Sequence, residues 1–349
     1  MAIQTVHDEF TTNAGIGSAI ARHARTYDID IAPICSALDL DLELLQNLTA
    51  RISLDRLCRL LETCAVLSND EAFGLKCAEV FTPGASGSFG YGILASPTVR
   101  HYVQFMGDHT PHLSHTSHCG LDFTDTEAVV SWTFSPLIVN RDQYVDMVTA
   151  IHIRNLRRMV GEDIAIAAIH LERPKPRNVA VFRERLTRKV NFGARMNGLS
   201  IPTMLLDRLN PRGDENLFKL MDQQCRALHM DGMTDGEFMS RVRRYLRLRI
   251  AEPALSLEDI AAYFRLSERT FQRRLAELGA TLNELRDEER RSLSLKLLKE
   301  SDLSISAICY RLGYSAPSAF TRSVHRWFGM SPRHLRNAGG GCGPEGADE

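Results

Sequence analysis

Ile260-Ala261-Ala262-Tyr263-Phe264-Arg265-Leu266-Ser267 and Ile308-Cys309-Tyr310-Arg311-Leu312-Gly313-Tyr314-Ser315 repeat one pattern at an offset of 48 residues. Each reads as a short helix running into a tight turn. Small Ala261 and Cys309 fall where two helices must approach closely, and Ser267 and Ser315 can cap a second helix by accepting a bond from its free amides. Each stretch, together with the helix after its turn, is therefore predicted to form a helix-turn-helix. In those second helices, residues 268–278 and 316–328, Phe271 with Leu275 and Phe320 with Val324 recur at helical spacing and are assigned to a core. The opposite stripes carry Arg269, Gln272 and Arg273 in the first and Ser318, Thr321 and Arg322 in the second. Arginine can donate two bonds to guanine and glutamine can pair with adenine, while serine, threonine and further arginines suit phosphates, so these six are the candidate DNA-reading residues. Pro317 reads as a first-turn proline rather than a contact.

Between the two units, residues 282–300 hold Leu285, Leu293, Leu297 and Leu298 with no helix breaker, which predicts one helix about 28 Å long. Such a rod would fix the spacing of two reading helices, and helices held roughly 34 Å apart can enter successive major grooves of a duplex.

Charge points the same way. The 349 residues carry a formal net charge of −1, yet residues 236–336 hold 19 Lys and Arg against 12 Asp and Glu, leaving 23 against 31 elsewhere. A basic C-terminal third beside an acidic remainder implies a polyanion partner for that third alone. The length predicts more than one domain, and 44% apolar with 24% charged residues excludes collagen-like and wholly disordered chains. No apolar run approaches the ~20 residues of a bilayer span, residues 1–10 lack a signal-peptide pattern, and the eight cysteines form no C-x-x-C pair. A cytoplasmic protein with buried, reduced thiols and no membrane partner is the expectation.

Upstream, helical spacing at 16–23 and 54–61 opens the chain. Residues 84–92, with four glycines, read as a loop, followed by a turn and cap at Ser96-Pro97-Thr98 and a helix over 99–106. Residues 113–123 and 128–134 read as a hairpin around Asp125-Thr126-Glu127, 144–159 as helix, 164–171 as a buried strand, and 179–186, 189–192 and 198–202 as helix, strand, strand. From Asp214 every apolar run is helical. The fold class is thus a multidomain chain: an α+β effector domain with a small antiparallel sheet over 1–230, and an all-α domain over 236–336 with two helix-turn-helix units joined by a long helix. A linker is placed at 228–236, and the Gly-rich tail 337–349 is expected to be disordered.

Leu312-Gly313-Tyr314-Ser315, Ser318-Ala319-Phe320-Thr321-Arg322, His325-Arg326-Trp327-Phe328-Gly329, Ser331-Pro332 and Arg336, with Ser267, Phe271, Gln272, Arg273 and Leu275 upstream, resemble the DNA-binding domain of the AraC family of bacterial transcription regulators. Arg265 stands where that pattern often has glycine, and Leu335 where it usually has an aromatic. Residues 89–99 and Val190-Asn191-Phe192-Gly193-Ala194 are similar to the effector domain of the ornithine-utilisation and mycobacterial virulence type, rather than to the short cupin sensor of the arabinose regulator. The resemblance implies a transcription regulator, expected to be an activator, that binds double-stranded promoter DNA, engages RNA polymerase and forms a homodimer. It also implies a small-molecule effector such as an amino acid, a lipid or an aromatic acid.

Phe81, Tyr91, His112, Trp132 and Phe134 are the candidate effector-binding residues, although aromatic residues in such runs are more often plain core. His109, His112, His115, His118 and Cys119 invite a metal or redox reading. On a strand over 113–123, His112 and His118 would share one face and His115 the other, so the set does not converge and no metal or other cofactor is expected. Hydrolase, P-loop and dinucleotide motifs are absent, so a DNA-tethered enzyme stands only as an alternative, beside a metal- or redox-sensing regulator using that segment.

Overall fold

The computed structural model describes residues 10–47, 50–113, 117–227, 235–252, 255–264 and 266–337. Two compact units emerge, Met1–Phe134 with Asn140–Gly232, and Ser135–Val139 with Met233–Glu349. The first runs β1 (Thr11–Asn13), α1 (Ile16–Arg25), α2 (Ala32–Ala37), β2 (Arg51–Ser53), α3 (Leu54–Leu67), α4 (Phe73–Cys77), α5 (Gly87–Ala95), α6 (Val99–Leu113), β3 (Ser117–Phe123), β4 (Glu127–Phe134), α7 (Asp142–Val160), β5 (Ala168–Leu171), α8 (Val179–Arg185), β6 (Lys189–Phe192), β7 (Asn197–Pro202) and α9 (Glu215–Ala227). The second is α10 (Asp235–Leu248), α11 (Leu257–Tyr263), α12 (Glu268–Glu277), α13 (Leu282–Glu300), α14 (Ile305–Arg311), α15 (Pro317–Phe328) and α16 (Pro332–Asn337).

Local chemistry explains where α3 begins and ends. The Ser53 side chain accepts the Arg56 N–H, and Leu57, Leu60, Leu61 and Cys64 bury one stripe. Asn69 then takes a left-handed φ of 51°, which the chain after a helix needs and asparagine tolerates. Helix α7 is buried nearly all round and is the hub of this unit. The Gln143 N–H donates to the Glu62 carboxylate at 2.9 Å and its Oε1 accepts the Gly74 N–H at 2.7 Å, which ties α3 and α4 to the start of α7. Asp146, fully buried, is ion-paired with Arg173, and burial pushes its carboxyl up from the usual range while that guanidinium pulls it down.

The larger sheet has the order β3-β4-β7-β5-β6, antiparallel at β3–β4, β4–β7 and β7–β5, with β6 joining β5 in parallel. Val130, Ile169, Leu199 and Ile201 bury its inner face, each stabilising the fold by roughly 1.5–3 kcal/mol relative to exposure. A separate two-stranded sheet pairs β1 with β2.

Three sequence expectations are corrected by the structure. Gly87–Ala95 is a helix, not a loop. Two of its glycines serve close approach: a Cβ on Gly90 would sit 1.8 Å from the Pro83 carbonyl oxygen, and one on Gly92 would sit 2.3 Å from the Phe105 ring. The stretch 164–171 is not one strand, because Gly161–Ile166 forms a 3-10 turn and only Ala168–Leu171 pairs; a short apolar run does not by itself distinguish the two. Leu113 ends α6 rather than starting a strand, so the hairpin opens at Ser117.

In the second unit, Phe238, Val242, Tyr245 and Leu246 of α10 pack with Ile260, Ala261, Phe271, Leu275 and Leu285 into one core. Glu289 of α13, almost fully buried, is bound by Arg243, at 3.2 Å, and by Arg247, so α10 is fastened to α13 by charge as well as by apolar contact. Further along α13, Leu293, Leu297 and Leu298 are buried, as are Ile308, Cys309, Leu312, Phe320, Val324 and Leu335 of α14 to α16. Arg336 reaches back to the carbonyls of Leu298 and Leu303, and the Trp327 indole donates to Asp287 at 2.8 Å. The linker over 228–236 lies outside the described residues except for Asp235 and Gly236, which belong to α10. The tail beyond Asn337, the closing residue of α16, also lies outside them.

Candidate functional site

The two repeats found in the sequence stop their first helices with the same bond. The Leu266 N–H donates to the Ala261 carbonyl at 2.9 Å, and 48 residues on, the Tyr314 N–H donates to the Cys309 carbonyl at 3.1 Å. In the second turn the Gly313 N–H also donates to the Tyr310 carbonyl, completing the paired closure that requires a left-handed residue between, and Gly313 has φ 73°. Arg265, its counterpart, lies outside the described residues. Buried Ala261 and Cys309 sit at the helix approach that their small size suggested.

The next helices start differently. Ser267 caps α12, its hydroxyl accepting the Thr270 N–H at 3.2 Å. Ser315 does not cap α15: the cap position is Ala316, with φ −152° and ψ 145° and no side-chain bond. Pro317 is the cause. A proline forces the residue before it out of helical geometry and is at home in a first turn, so the helix begins one residue later than the repeat predicts.

Phe271 and Leu275 of α12 and Phe320 and Val324 of α15 are buried, which turns the opposite stripes outward. Arg269, Gln272, Arg273, Ser318 and Arg322 are exposed and Thr321 is half-buried. Arg273 lies 3.6 Å from Glu277 one turn on, a solvent-exposed pairing of small energetic weight that leaves the guanidinium available. Two outward stripes of donors on helices braced by α13 can present bidentate and phosphate-directed contacts to a polyanion.

In the first unit a cavity of about 90 Å³ opens between β1, α1, the 81–93 segment, β4 and α7. Phe81, Trp132 and Phe134 line it. Arg154 donates to the Phe81 carbonyl at 2.6 Å and fixes that segment against α7. Tyr91 does not line it; its side chain is 50% exposed and its hydroxyl lies over Gly84. His112 falls on α6, and its side chain lies outside the described residues.

The histidine row does not share one strand either. His109 and His112 are helical, His115 lies outside the described residues, and buried His109 is bonded to Asp222 at 2.7 Å.

Sequence reasoning missed the contribution of α7. Tyr144, Val148, Ile151, His152 and Asn155 recur at helical spacing and form one wall. The signal was there: a histidine and an asparagine on the apolar stripe of a core helix. His152 stacks on Trp132 with ring centroids 5.7 Å apart and shares a hydrogen bond of 2.6 Å with the Tyr102 hydroxyl. Burial holds its imidazole down at about 4, so it is neutral at pH 7. The Trp132 indole N–H and the Asn155 Oδ1 are both buried without a hydrogen-bond partner.

The comparisons with known proteins match this division. The model of the N-terminal arabinose-binding domain of AraC transcription regulators matches residues 29–210, more than half of the chain, and a helix-turn-helix domain model matches residues 260–338. The regulator VirS of Mycobacterium tuberculosis is 33% identical over 164 residues, covering 47% of this chain and 48% of that protein, so the chain spans about half the length of that relative. The ornithine utilization regulator of Pseudomonas aeruginosa is 25% identical over 297 residues, 85% of this chain and 87% of that one. A solved structure of the regulator CdpR from Pseudomonas aeruginosa covers 90% of this chain and 97% of its own, with 17% identity and a TM-score of 0.38. A ligand-binding domain followed by a helix-turn-helix domain is the order found here, and the chain belongs to the AraC family of transcription regulators.

Proposed function

We propose that this chain is a sequence-specific, DNA-binding transcriptional activator whose first unit binds a small-molecule effector. The observation that carries this is the pair of helix-turn-helix repeats, closed by the same backbone bond and presenting Arg269, Gln272, Arg273, Ser318, Thr321 and Arg322 outward from opposite buried stripes. In this reading α12 and α15 are the recognition helices, and the 19-residue α13 sets their separation for successive major grooves of promoter DNA. Residues 1–230 act as the effector and dimerisation domain and 236–336 as the DNA-binding domain, with RNA polymerase as the protein partner. The effector works by its differential affinity for two arrangements of the protein, which is all that a ligand can use to shift an equilibrium.

The test is selection of binding sites from a random duplex library with the full chain, and then titration of the recovered site at rising salt. The expected product is a bipartite site with half-sites about 10 base pairs apart and an affinity that falls steeply with salt. A library that shows no enrichment over scrambled duplex refutes the proposal. Activation is checked by in vitro transcription from the recovered site, and a fall in transcript on adding the chain refutes that part.

A further inference from the structure

We infer that α5 and α9 form the output of the first-unit cavity: α5 is a wall that the cavity shares with α9, so an occupant that displaces α5 displaces α9, the helix from which the chain runs on into the second unit. This rests on the effector reading and names the route by which the effector is sensed.

The two sides of α5 meet different neighbours. Phe89, Gly90 and Ile93 line the cavity. Ser88, Gly92 and Ala95 recur at four and three and share the other side. The Ser88 hydroxyl accepts from the Cys225 thiol of α9 at 3.5 Å, and the Ala95 carbonyl accepts the Asp214 N–H, at the start of α9, at 3.0 Å. Asn210, just upstream, donates through its amide to the Leu94 and Ser96 carbonyls at 3.0 and 2.9 Å. The two helices are therefore antiparallel and joined at both ends. Gly92 lies against the Phe105 ring of α6, where a Cβ would come within 2.3 Å. With only Ser, Gly and Ala on this side, backbone meets its neighbours closely, and a close-packed contact passes a shift on rather than absorbing it.

A chain of rings runs the same way. Phe89, in the cavity wall, meets Phe105 with ring centroids 5.7 Å apart, and Phe105 meets Phe218 of α9 at 5.4 Å. Phe105 also lies 4.4 Å from the ring of buried His109, which is bonded to Asp222 of α9 at 2.7 Å. Phe218, Asp222 and Cys225, recurring at four and three, thus turn one stripe of α9 toward α5 and α6. Residues 228–234 alone separate Ala227, the end of α9, from Asp235, the start of α10. Helix α10 is in turn fastened through Glu289 to α13, which lies between the two repeats.

The experiment uses the full chain and replaces the unidentified occupant by a side chain. Val148 of α7 lines the cavity, so Val148→Phe fills part of it without touching α5 or α9, and Val148→Met is a milder filling for use if the first lowers the unfolding midpoint sharply. Hydrogen exchange is read over residues 215–227, and DNA affinity on the selected site. Filling the cavity should change the exchange of α9 and shift DNA affinity, in either direction, by about three- to tenfold. Asn210→Ala and Phe218→Ala, made singly and together, loosen α9 from α5 and α6, and in the double background the same filling should shift affinity by less than about twofold. Adding Ser88→Cys to that background and oxidising it to a disulfide with Cys225 re-joins the helices and should restore the shift, which mere damage to α9 would not allow.

Unchanged exchange in α9 when the cavity is filled overturns the inference, whatever happens at DNA. A shift in affinity that persists undiminished in the loosened background overturns it too, and leaves regulation through the cavity standing by another route. Altered exchange in α9 with constant DNA affinity removes the output role and the effector reading together.

Discussion

The two repeats of the second unit, α11 with α12 and α14 with α15, share a stop and differ in nearly everything around it. In both, the first helix ends in the same backbone closure, from Leu266 to Ala261 and from Tyr314 to Cys309. The first repeat is roofed by α10, which supplies Phe238 and Tyr245 to an aromatic core with Phe264 and Phe271, and is fastened through Glu289. The second has a mainly aliphatic core against α13 and α16, with Phe320 and Tyr314 in ring contact. Its second helix starts at a proline instead of a serine cap. The same backbone closure thus serves two repeats that are covered by different neighbours.

That contrast can be broken at four points. The largest effect is expected from Glu289→Ala, which removes the buried carboxylate shared by Arg243 and Arg247 and should cost about 3 kcal/mol, reduced from the fully buried case because both arginines are partly exposed and Arg243 keeps Glu288 at 2.7 Å. Hydrogen exchange should show the loss in α10 to α12; equal loss in α14 and α15 would mean that the clamp is not local to the first repeat. Next comes Gly313→Ala. A side chain there is strained at φ 73° and would place a Cβ 2.4 Å from the Ile250 carbonyl oxygen, so about 2 kcal/mol should be lost, read as a lower unfolding midpoint.

Arg273→Ala and Arg322→Ala should each weaken specific DNA binding by about 1–3 kcal/mol if the two repeats read bases independently. Anisotropy titrations on the selected site check this, and an unchanged affinity and base preference in either variant removes that residue from the reading set. Smallest and sharpest is the cap comparison: Ser267→Ala should cost about 1 kcal/mol, while Ser315→Ala should stay within about 0.5 kcal/mol. Equal losses in urea unfolding would contradict the different helix starts.

Much of the second unit was legible in the chain because its signals are local. A helix stripe needs only its own residues to declare a buried and an exposed face, and the rod over 282–300 was bounded correctly as α13, which Thr281 and Glu284 cap reciprocally. The Ser315 cap was misjudged because the repeat was followed although Pro317, itself read as a first-turn proline, sets the residue before it, Ala316, as the cap. In the first unit, Gly84 to Gly92 suggested a loop, since glycine is scored by its freedom. There the packing of Gly90 against Pro83 uses its missing side chain.

The cavity was only partly legible. Phe81, Trp132 and Phe134 come from a loop and a strand whose hydrophobicity is visible, but Tyr91 looks the same in sequence and faces outward. His152 and Asn155 are separated from Phe81 by some seventy residues, and nothing local says that their helix passes behind that segment.

By itself, then, the sequence determined the repeated helix pairs with their outward basic stripes and the helix over 282–300 between them, because helical periodicity and side-chain chemistry act within a few residues. Tertiary structure alone decided that α7 walls a cavity with no charged side chain among the described residues that line it, that the Trp132 indole N–H and the Asn155 Oδ1 are buried without partners, and that Glu289 is buried between arginines. Burial is a property of what packs across the chain, and no short stretch of sequence declares it.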